Sequence, residues 1–267
     1  MKIQRLKGQS AIVTGSSSGI GMAIAIELAN EGAKVVVNYS SSEKDAYEIV
    51  KSIEKDGGEA IAIKADVSRE DDVKEMFNKA IATFGTVDII VNNAGIQKDA
   101  SMTEMTLEEW KLVLDINLTG QFLCSREAIK EYRKRGFTQN SCALGKIICM
   151  SSVHEIIPWS GHVNYSSSKG GVSMFMKSMA QEVGRDKIRV NAIAPGAIKT
   201  RINKEIWETK EAEQKVLELI PYNRLGDTKD VAKVAVWLAS DDSDYVHGTT
   251  IFVDGGMALY PGFVDNG

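Results

Sequence analysis

The sequence predicts a doubly wound α/β fold, a parallel sheet of about seven strands with helices on both faces. Short β-branched runs alternate with longer helix-like stretches from near the start of the chain. Strands that alternate with helices imply parallel pairing, because right-handed crossovers lay a helix over each strand pair. With 267 residues, 43% of them hydrophobic, the chain can build one substantial core, at a size where about 75% of the unfolded surface is buried. No Pro- or Ser-rich linker, internal repeat or low-complexity tract divides it, so residues 1–267 read as one domain.

The strands fall in order at 10–13, 34–38, 60–64, 87–91, 146–150, 188–193 and 250–253, each a β-branched run bounded by turn residues. A helical pattern follows the first strand at 22–30, an apolar-periodic helix is expected over 107–129, and a long one begins near Tyr165. Residues 133–145 read as a long connection and 200–221 as an inserted helical segment that would serve as a substrate lid, with Ile202, Ile206 and Trp207 excluding water.

Thirty-two Lys and Arg against 36 Asp and Glu leave a formal charge of −4. That balance supplies no basic face for a phosphate backbone, so no nucleic-acid partner is expected. No apolar stretch approaches the ~18 residues of a membrane helix, and the polar start, residues 1–9, lacks the apolar core of a signal peptide. The expectation is a cytoplasmic protein without a membrane partner. Cys124, Cys142 and Cys149 are odd in number and widely spaced, which suits neither a disulfide framework nor a metal site. They are expected to be ordinary buried or half-buried thiols.

Directly after the first strand comes TGSSSGIG, residues 14–21. Gly15, Gly19 and Gly21 let the backbone turn tightly and approach a pyrophosphate, and the next helix offers unpaired amides and a positive dipole end. Ser17 and Ser18 lie in the same turn. Such a turn also serves as a plain strand-to-helix connection. At the end of the second strand, where a carboxylate would hold the adenosine ribose of NAD, stand Asn38, Tyr39 and Ser40. Neutral donors there permit NADP, which is expected to be accepted at least as well as NAD. Asp66 and Val67 follow the third strand, and Asn93, Ala94 and Gly95 the fourth, at the carboxyl ends where open sheets bind ligands.

Tyr165 and Lys169 are four residues apart at the start of a helix and so share a face. A tyrosine has a pKa near 10, whereas a base useful at neutral pH needs one of about 7, so the phenolate requires ~4 kcal/mol of stabilisation. A neighbouring ammonium and the positive ring of a nicotinamide can together supply it. Ser152, on the loop after the fifth strand, is suited to hydrogen-bond a reacting oxygen. Asn117, an awkward polar residue in an apolar-periodic helix, is expected to hold a water against Lys169. A Tyr and a Lys at this spacing, taken alone, also make an ordinary helix pair.

Taken in order, TGSSSGIG, NNAG, Asn117, Ser152, YSSSK and IAPGAIKT (residues 193–200) resemble the short-chain dehydrogenase/reductase family over nearly the whole chain. The resemblance implies a Rossmann-like fold and a catalytic tetrad of Asn117, Ser152, Tyr165 and Lys169, with Tyr165 the acid-base and Lys169 also on the nicotinamide ribose. It implies that Gly15, Ser17, Ile20, Asp66, Val67, Asn93, Gly95, Ile198 and Thr200 line the cofactor, with Pro195 and Gly196 in the same motif. It also implies a homotetramer built on the helices carrying Asn117 and Tyr165.

Within the family, SSVHEIIPW (151–159), NLTG (117–120), SREAIK (125–130) and GGMALYPGF (255–263) resemble the bacterial glucose 1-dehydrogenases. They imply oxidation of the C1 hydroxyl of β-D-glucose. A sugar needs directional hydrogen bonds, and Gln97, His154, Glu155 and Asn164 flank the tetrad on loops that could make them, with Trp159 covering an apolar ring face. Another carbonyl reductase of the family, such as a 3-oxoacyl-carrier-protein reductase, would carry the same cofactor and tetrad motifs, and a cofactor-binding sensor would keep the fold without turnover.

Overall fold

A computed structural model of the protein describes residues 4–201 and 203–259. Seven strands, β1 Ser10–Val13, β2 Lys34–Tyr39, β3 Glu59–Lys64, β4 Ile89–Asn92, β5 Gly145–Met150, β6 Ile188–Pro195 and β7 Thr250–Val253, make one sheet in the order β3-β2-β1-β4-β5-β6-β7. Every neighbouring pair is parallel. The helices are α1 Gly19–Asn30, α2 Glu43–Lys55, α3 Glu70–Phe84, α4 Leu107–Leu114, α5 Gly120–Arg135, α6 Val163–Val183, α7 Lys210–Leu217 and α8 Thr228–Ala239.

The near-continuous apolar runs of the strands follow from burial on both faces. Successive side chains point to opposite sides. Ala11, Val13, Val35, Val37, Ile89 and Val91 enter one core with Ile24 and Leu28 of α1, Ile49 of α2 and Val231 of α8. Ile12, Val36, Ile90 and Ile147 enter the other with Met76 of α3, Leu123 of α5 and Met176 of α6. Met179 joins Met176 inside, whereas Met174 is exposed. Cys124 and Cys149 are buried thiols, and Cys142 is exposed.

Outside the strands, three boundaries differ from the sequence expectation. Helix α1 starts at Gly19, three residues early, because the glycine turn itself supplies its first residues. Residues 107–129 are not one helix: α4 ends at Leu114, a π-helical segment covers Asp115–Thr119, and α5 then continues. The connection before β5 is shorter than 133–145, because α5 runs on to Arg135. Arg135 accounts for the extension. Its guanidinium donates to the carbonyls of Gly136 and Leu144 and pairs with Asp88 at 2.9 Å, a basic group at the negative end of the helix dipole.

Where α5 crosses β5, Gly145 lies against the buried ring of Tyr132, whose hydroxyl donates to the carbonyl of Lys146 at 3.0 Å. A Cβ at Gly145 would overlap that ring. Gly145→Ala is therefore expected to destabilise the fold by about 1–3 kcal/mol, read as a lower urea midpoint. An unchanged midpoint would mean that Tyr132 repacks freely.

Candidate active site

The strand order reverses at β1, which has β2 on one side and β4 on the other. The loops leaving β1 and β4 therefore flank the crevice in which such sheets take ligands. The two loops are stitched together. Thr14 Oγ1 accepts from the amides of Asn93 and Ala94 at 2.9 and 3.0 Å, and Asn93 Nδ2 donates to the carbonyls of Thr14 and Gly15 at 2.9 and 3.1 Å. Gly15 has φ +60°, and a Cβ on it would come within 2.8 Å of the Ala94 backbone. Thr14 and Ser16, which the sequence reading did not single out, bind this turn. Ser16 Oγ donates to Val13 and accepts from the Asn38 amide.

The cradle suits a pyrophosphate. Ser18, the residue preceding α1, makes no side-chain cap, so the first amides of the helix have no side-chain acceptor from that residue and stay available to an anion at its positive dipole end. A Cβ at Gly19 would meet only the Thr200 side chain, at 3.7 and 3.9 Å, so the 198–200 segment lies across the turn with room between. Ser17, Ser18 and Ile20 sit half-buried at the rim.

Several expected cofactor residues have other duties. Asn38 does not face an adenosine ribose: it is 1% exposed, accepts from the Gly15 amide at 3.0 Å and donates to the carbonyls of Ile63 and Ala65. Two inward carbonyls require a donor, so an amide suits this position and a carboxylate does not. Tyr39 is also buried and donates to Glu43. Of the three, only Ser40 is exposed. Asp66 accepts from the amide and hydroxyl of Ser68 through one oxygen, and Val67 is buried where Gly120 passes close to it. Gly196 lets β6 approach Asp254, and the Ile198 side chain enters the core after Pro195 closes β6. Asn203, missed in the sequence, shapes the 198–203 loop: it accepts from the Thr200 amide and hydroxyl and donates to the Ile198 carbonyl. Ile202 lies outside the described residues.

The carboxyl end of β5 meets the start of α6 beside this cradle. Lys169 is 4% exposed and donates from Nζ to the Met150 carbonyl at 2.8 Å. Burial lowers its pKa to about 8, opposed by Cys149 and Glu155, so it remains mostly charged at neutral pH. Its Nζ lies 5.5 Å from the centre of the Tyr165 ring. Burial raises the Tyr165 phenol, and hydrogen bonds with Ser152 and Gln97 oppose that rise. Ser152 is buried and accepts from the His154 amide at 3.2 Å. Tyr165, Ser152 and Gln97 thus converge.

Asn117 is held by bonds to the β4 loop and to α6. It is fully buried in the π-helical segment, accepting from the Ile96 amide at 2.8 Å and donating to the Ile96 carbonyl and to Ser168 Oγ. Both of its amide hydrogens and one lone pair of its oxygen are thereby committed to protein partners. The side chain ties the β4 loop to α6.

A family model described as Enoyl-(Acyl carrier protein) reductase matches residues 15–258, which include the cradle, Asn117, Ser152, Tyr165 and Lys169. The chain belongs to the short-chain dehydrogenase/reductase family. It is an oxidoreductase of that family. It is 49% identical over 258 residues to 3beta-hydroxysteroid dehydrogenase 1 of Eggerthella lenta, covering 97% of each chain. It is 43% identical over 257 residues to Glucose 1-dehydrogenase 2 of Bacillus subtilis, covering 96% of this chain and 97% of that one. A gluconate 5-dehydrogenase of Burkholderia cenocepacia, solved in complex with NADP and tartrate, superimposes with a TM-score of 0.88 at 32% identity, over 96% of this chain and 98% of that one.

In this short-chain dehydrogenase/reductase the expected substrate flank is less polar than its sequence suggests. Asn164 is fully buried, donating to the Lys98 carbonyl and accepting from the Tyr165 amide. Glu155 accepts from Ser173 of α6 at 3.1 Å, and its other oxygen is buried without a donor. Trp159 is 38% exposed, but both faces of its indole are covered, by His154 at 4.2 Å and His162 at 3.5 Å between ring centres. It has no face left for a sugar and meets Tyr165 edge-on at 6.3 Å. His154 donates from Nδ1 to the Ile157 carbonyl, which leaves Nε2 as an acceptor. Burial lowers its pKa and keeps it neutral. His162 pairs with Asp99, and the Ala100 amide donates to Gly161. These bonds join the β4 loop to the 159–164 turn as one wall above Tyr165. Among the described residues no cluster could hold a metal ion, and no helix is long and apolar enough to cross a membrane.

Proposed function

We propose that this short-chain dehydrogenase/reductase is an NAD(P)-dependent dehydrogenase of a hydroxyl on a ring carbon, with β-D-glucose, whose C1 hemiacetal hydroxyl is oxidised to glucono-1,5-lactone, as its substrate. The reading is carried by the convergence of Ser152, Tyr165 and Lys169 at the strand ends beside the glycine cradle. Gly15 to Gly21, Ser40, Asp66, Asn93 to Gly95 and Thr200 would hold the dinucleotide, with Lys169 on its nicotinamide ribose. When bound, the nicotinamide supplies the hydride acceptor. Tyr165 takes the hydroxyl proton as the carbon loses hydride, Ser152 donates to the oxygen as it becomes a carbonyl, and the Lys169 ammonium favours the phenolate. Asn117 holds the Ile96 loop against α6 so that these groups keep their geometry. Residues 200–221 would close over the site as a lid: neither the Lys204–Ile206 turn nor α7 buries a residue, so little packing opposes movement of that part, while the buried Ile220 anchors its far end.

The glucose assignment rests on the sequence resemblance carried by SSVHEIIPW (151–159) and GGMALYPGF (255–263), of which 260–263 lie outside the described residues. A second reading, a 3β-hydroxysteroid, is favoured by the inward turn of Glu155 and Asn164, by the edge-on Trp159 and by the relative at 49% identity. Both readings remove hydride from a ring carbon that bears a hydroxyl, a hemiacetal carbon in glucose and a secondary alcohol carbon in the steroid. A panel of β-D-glucose, a 3β-hydroxysteroid and, in reverse, an acetoacetyl thioester, followed by nicotinamide absorbance, separates them. Glucose is expected to be turned over fastest. If it gives no signal at high millimolar concentration, the sugar assignment fails, and if no substrate is turned over, the sensor reading replaces all three.

For the cofactor we expect NADP to be used at least as well as NAD, with a modest ratio. Ser17, Ser18 and Ser40 offer neutral donors worth about 1 kcal/mol each, against about 1.5–3 for a charge-assisted bond. Ser40→Arg should raise the NADP/NAD ratio of kcat/KM about tenfold. A wild-type preference for NAD well above tenfold would refute this account of the loop. Met174 and Phe122, exposed on α6 and α5, fit a homotetramer assembled through those helices. Light scattering at a monomer mass would exclude it.

A further inference from the structure

The carbonyl of Met150 ends β5 one residue beyond the last β4–β5 pair, Asn92 with Cys149. The next two amides of the β4 strand turn away to Thr14 Oγ1. This oxygen at the edge of the site therefore accepts from side chains instead. One donor is Lys169 Nζ at 2.8 Å and the other is Gln121 Nε2 at 3.1 Å. Gln121 lies on the first turn of α5, just beyond the π-helical segment that carries Asn117, and is 2% exposed. Its Oε1 is buried without a donor. A buried glutamine with one unsatisfied oxygen is costly to keep. An apolar side chain would fill the same space more cheaply.

We propose that Gln121 is a positioning residue for Lys169, acting through the Met150 carbonyl that both side chains share. The inference rests on the reading of Lys169 as part of the catalytic machinery. One lone pair of the carbonyl is committed to Gln121, which directs the other toward the ammonium and limits how strongly the ammonium is drawn to it. Lys169 then keeps two of its three N–H groups for Tyr165 and the nucleotide ribose. Two bonds of 2.8 and 3.1 Å on one oxygen put the two nitrogens within about 6 Å of each other, a range in which a charge at residue 121 would be felt by Lys169. The other groups facing Lys169 are Tyr165 on its own helix, Cys149 on β5 and Glu155 on the 153–155 turn. None of these is altered by a change at residue 121.

The test compares Gln121→Glu and Gln121→Leu with Lys169→Met and wild type. On the enzyme without substrate, binding of reduced nucleotide is followed by nicotinamide fluorescence across pH. The pH at which affinity falls as Lys169 loses its proton should rise by about one unit in Gln121→Glu, because a carboxylate there favours the ammonium. In Gln121→Leu, kcat should fall about tenfold while the substrate KM stays within about twofold, since only the placement of Lys169 changes. If Gln121→Glu folds and its binding profile overlays that of wild type, the proposal is wrong. If Gln121→Glu does not fold, Gln121→Leu decides, and an unchanged kcat in that variant overturns the proposal. Lys169→Met distinguishes the two levels of failure. An active Lys169→Met removes the underlying reading, whereas an inactive one beside unaffected Gln121 variants removes only the role of Gln121.

Discussion

Replacing Tyr165 by phenylalanine is expected to lower kcat by about a hundred- to ten-thousandfold, the range of acid-base catalysis, while nucleotide affinity stays within a few-fold of wild type. The substitution deletes one oxygen and keeps the ring. The edge contacts of that ring with His154 and Trp159, at 6.2 and 6.3 Å, and the Lys169 ammonium 5.5 Å from its centre all remain available. What disappears is the group that takes the proton. Burial alone raises the phenol and so works against ionisation, and Ser152 and Gln97 offset only part of this. Catalysis near neutral pH therefore depends on the nearby positive charge. Single-turnover rates and nucleotide titrations on the same preparation test the claim, and a variant retaining near-normal turnover would rule out Tyr165 as the acid-base.

Lys169→Met should lose turnover as well, and it should make the folded chain more stable at neutral pH. A buried ammonium with a pKa of about 8 against an ordinary 10.5 costs about 3 kcal/mol wherever both folded and unfolded forms carry the proton. The direction with pH is fixed. Below about pH 8 the penalty is full. Between about 8 and 10.5 the folded form releases its proton while the unfolded form keeps it, so rising pH favours folding and the penalty fades. The gain from Lys169→Met should accordingly be largest at pH 7 and much smaller near pH 10. Met150 is not orphaned in this variant, because Gln121 still donates to its carbonyl. Denaturant titrations at the two pH values measure the difference. A variant less stable than wild type at pH 7 would contradict the assigned cost.

The sheet was legible because each strand is a β-branched run closed by turn residues, and every expected strand is present with boundaries shifted by at most two residues. The break within 107–129 was not legible. A π-helical segment keeps apolar residues on both sides of it, so the periodic pattern reads straight through. The same limit applies to the polar residues of the site. Ser152, Tyr165 and Lys169 could be paired from spacing and motif. The inward direction of Asn38, Asn164 and Glu155 is set by carbonyls and hydroxyls far away in the chain: Ile63 and Ala65, Lys98, and Ser173. A sequence identifies a donor or an acceptor, but its partner is known only after the chain has closed around it.

The π-helical segment also acts as a phase shift. In a regular helix each residue advances the side chains by about 100°, so one surplus residue rotates everything after it relative to everything before. Val113 of α4 is buried ahead of the segment, and Leu123, Ala128 and Tyr132 of α5 are buried behind it. The two halves are thus clocked against different neighbours. Deleting a single residue from 115–119 would restore regular hydrogen bonding and favour the helix locally. It would also turn either α4 or α5 away from its partners and carry Asn117 off Ile96 and Ser168, so the irregularity is what lets one continuous rod meet two surfaces that a straight helix could not face together.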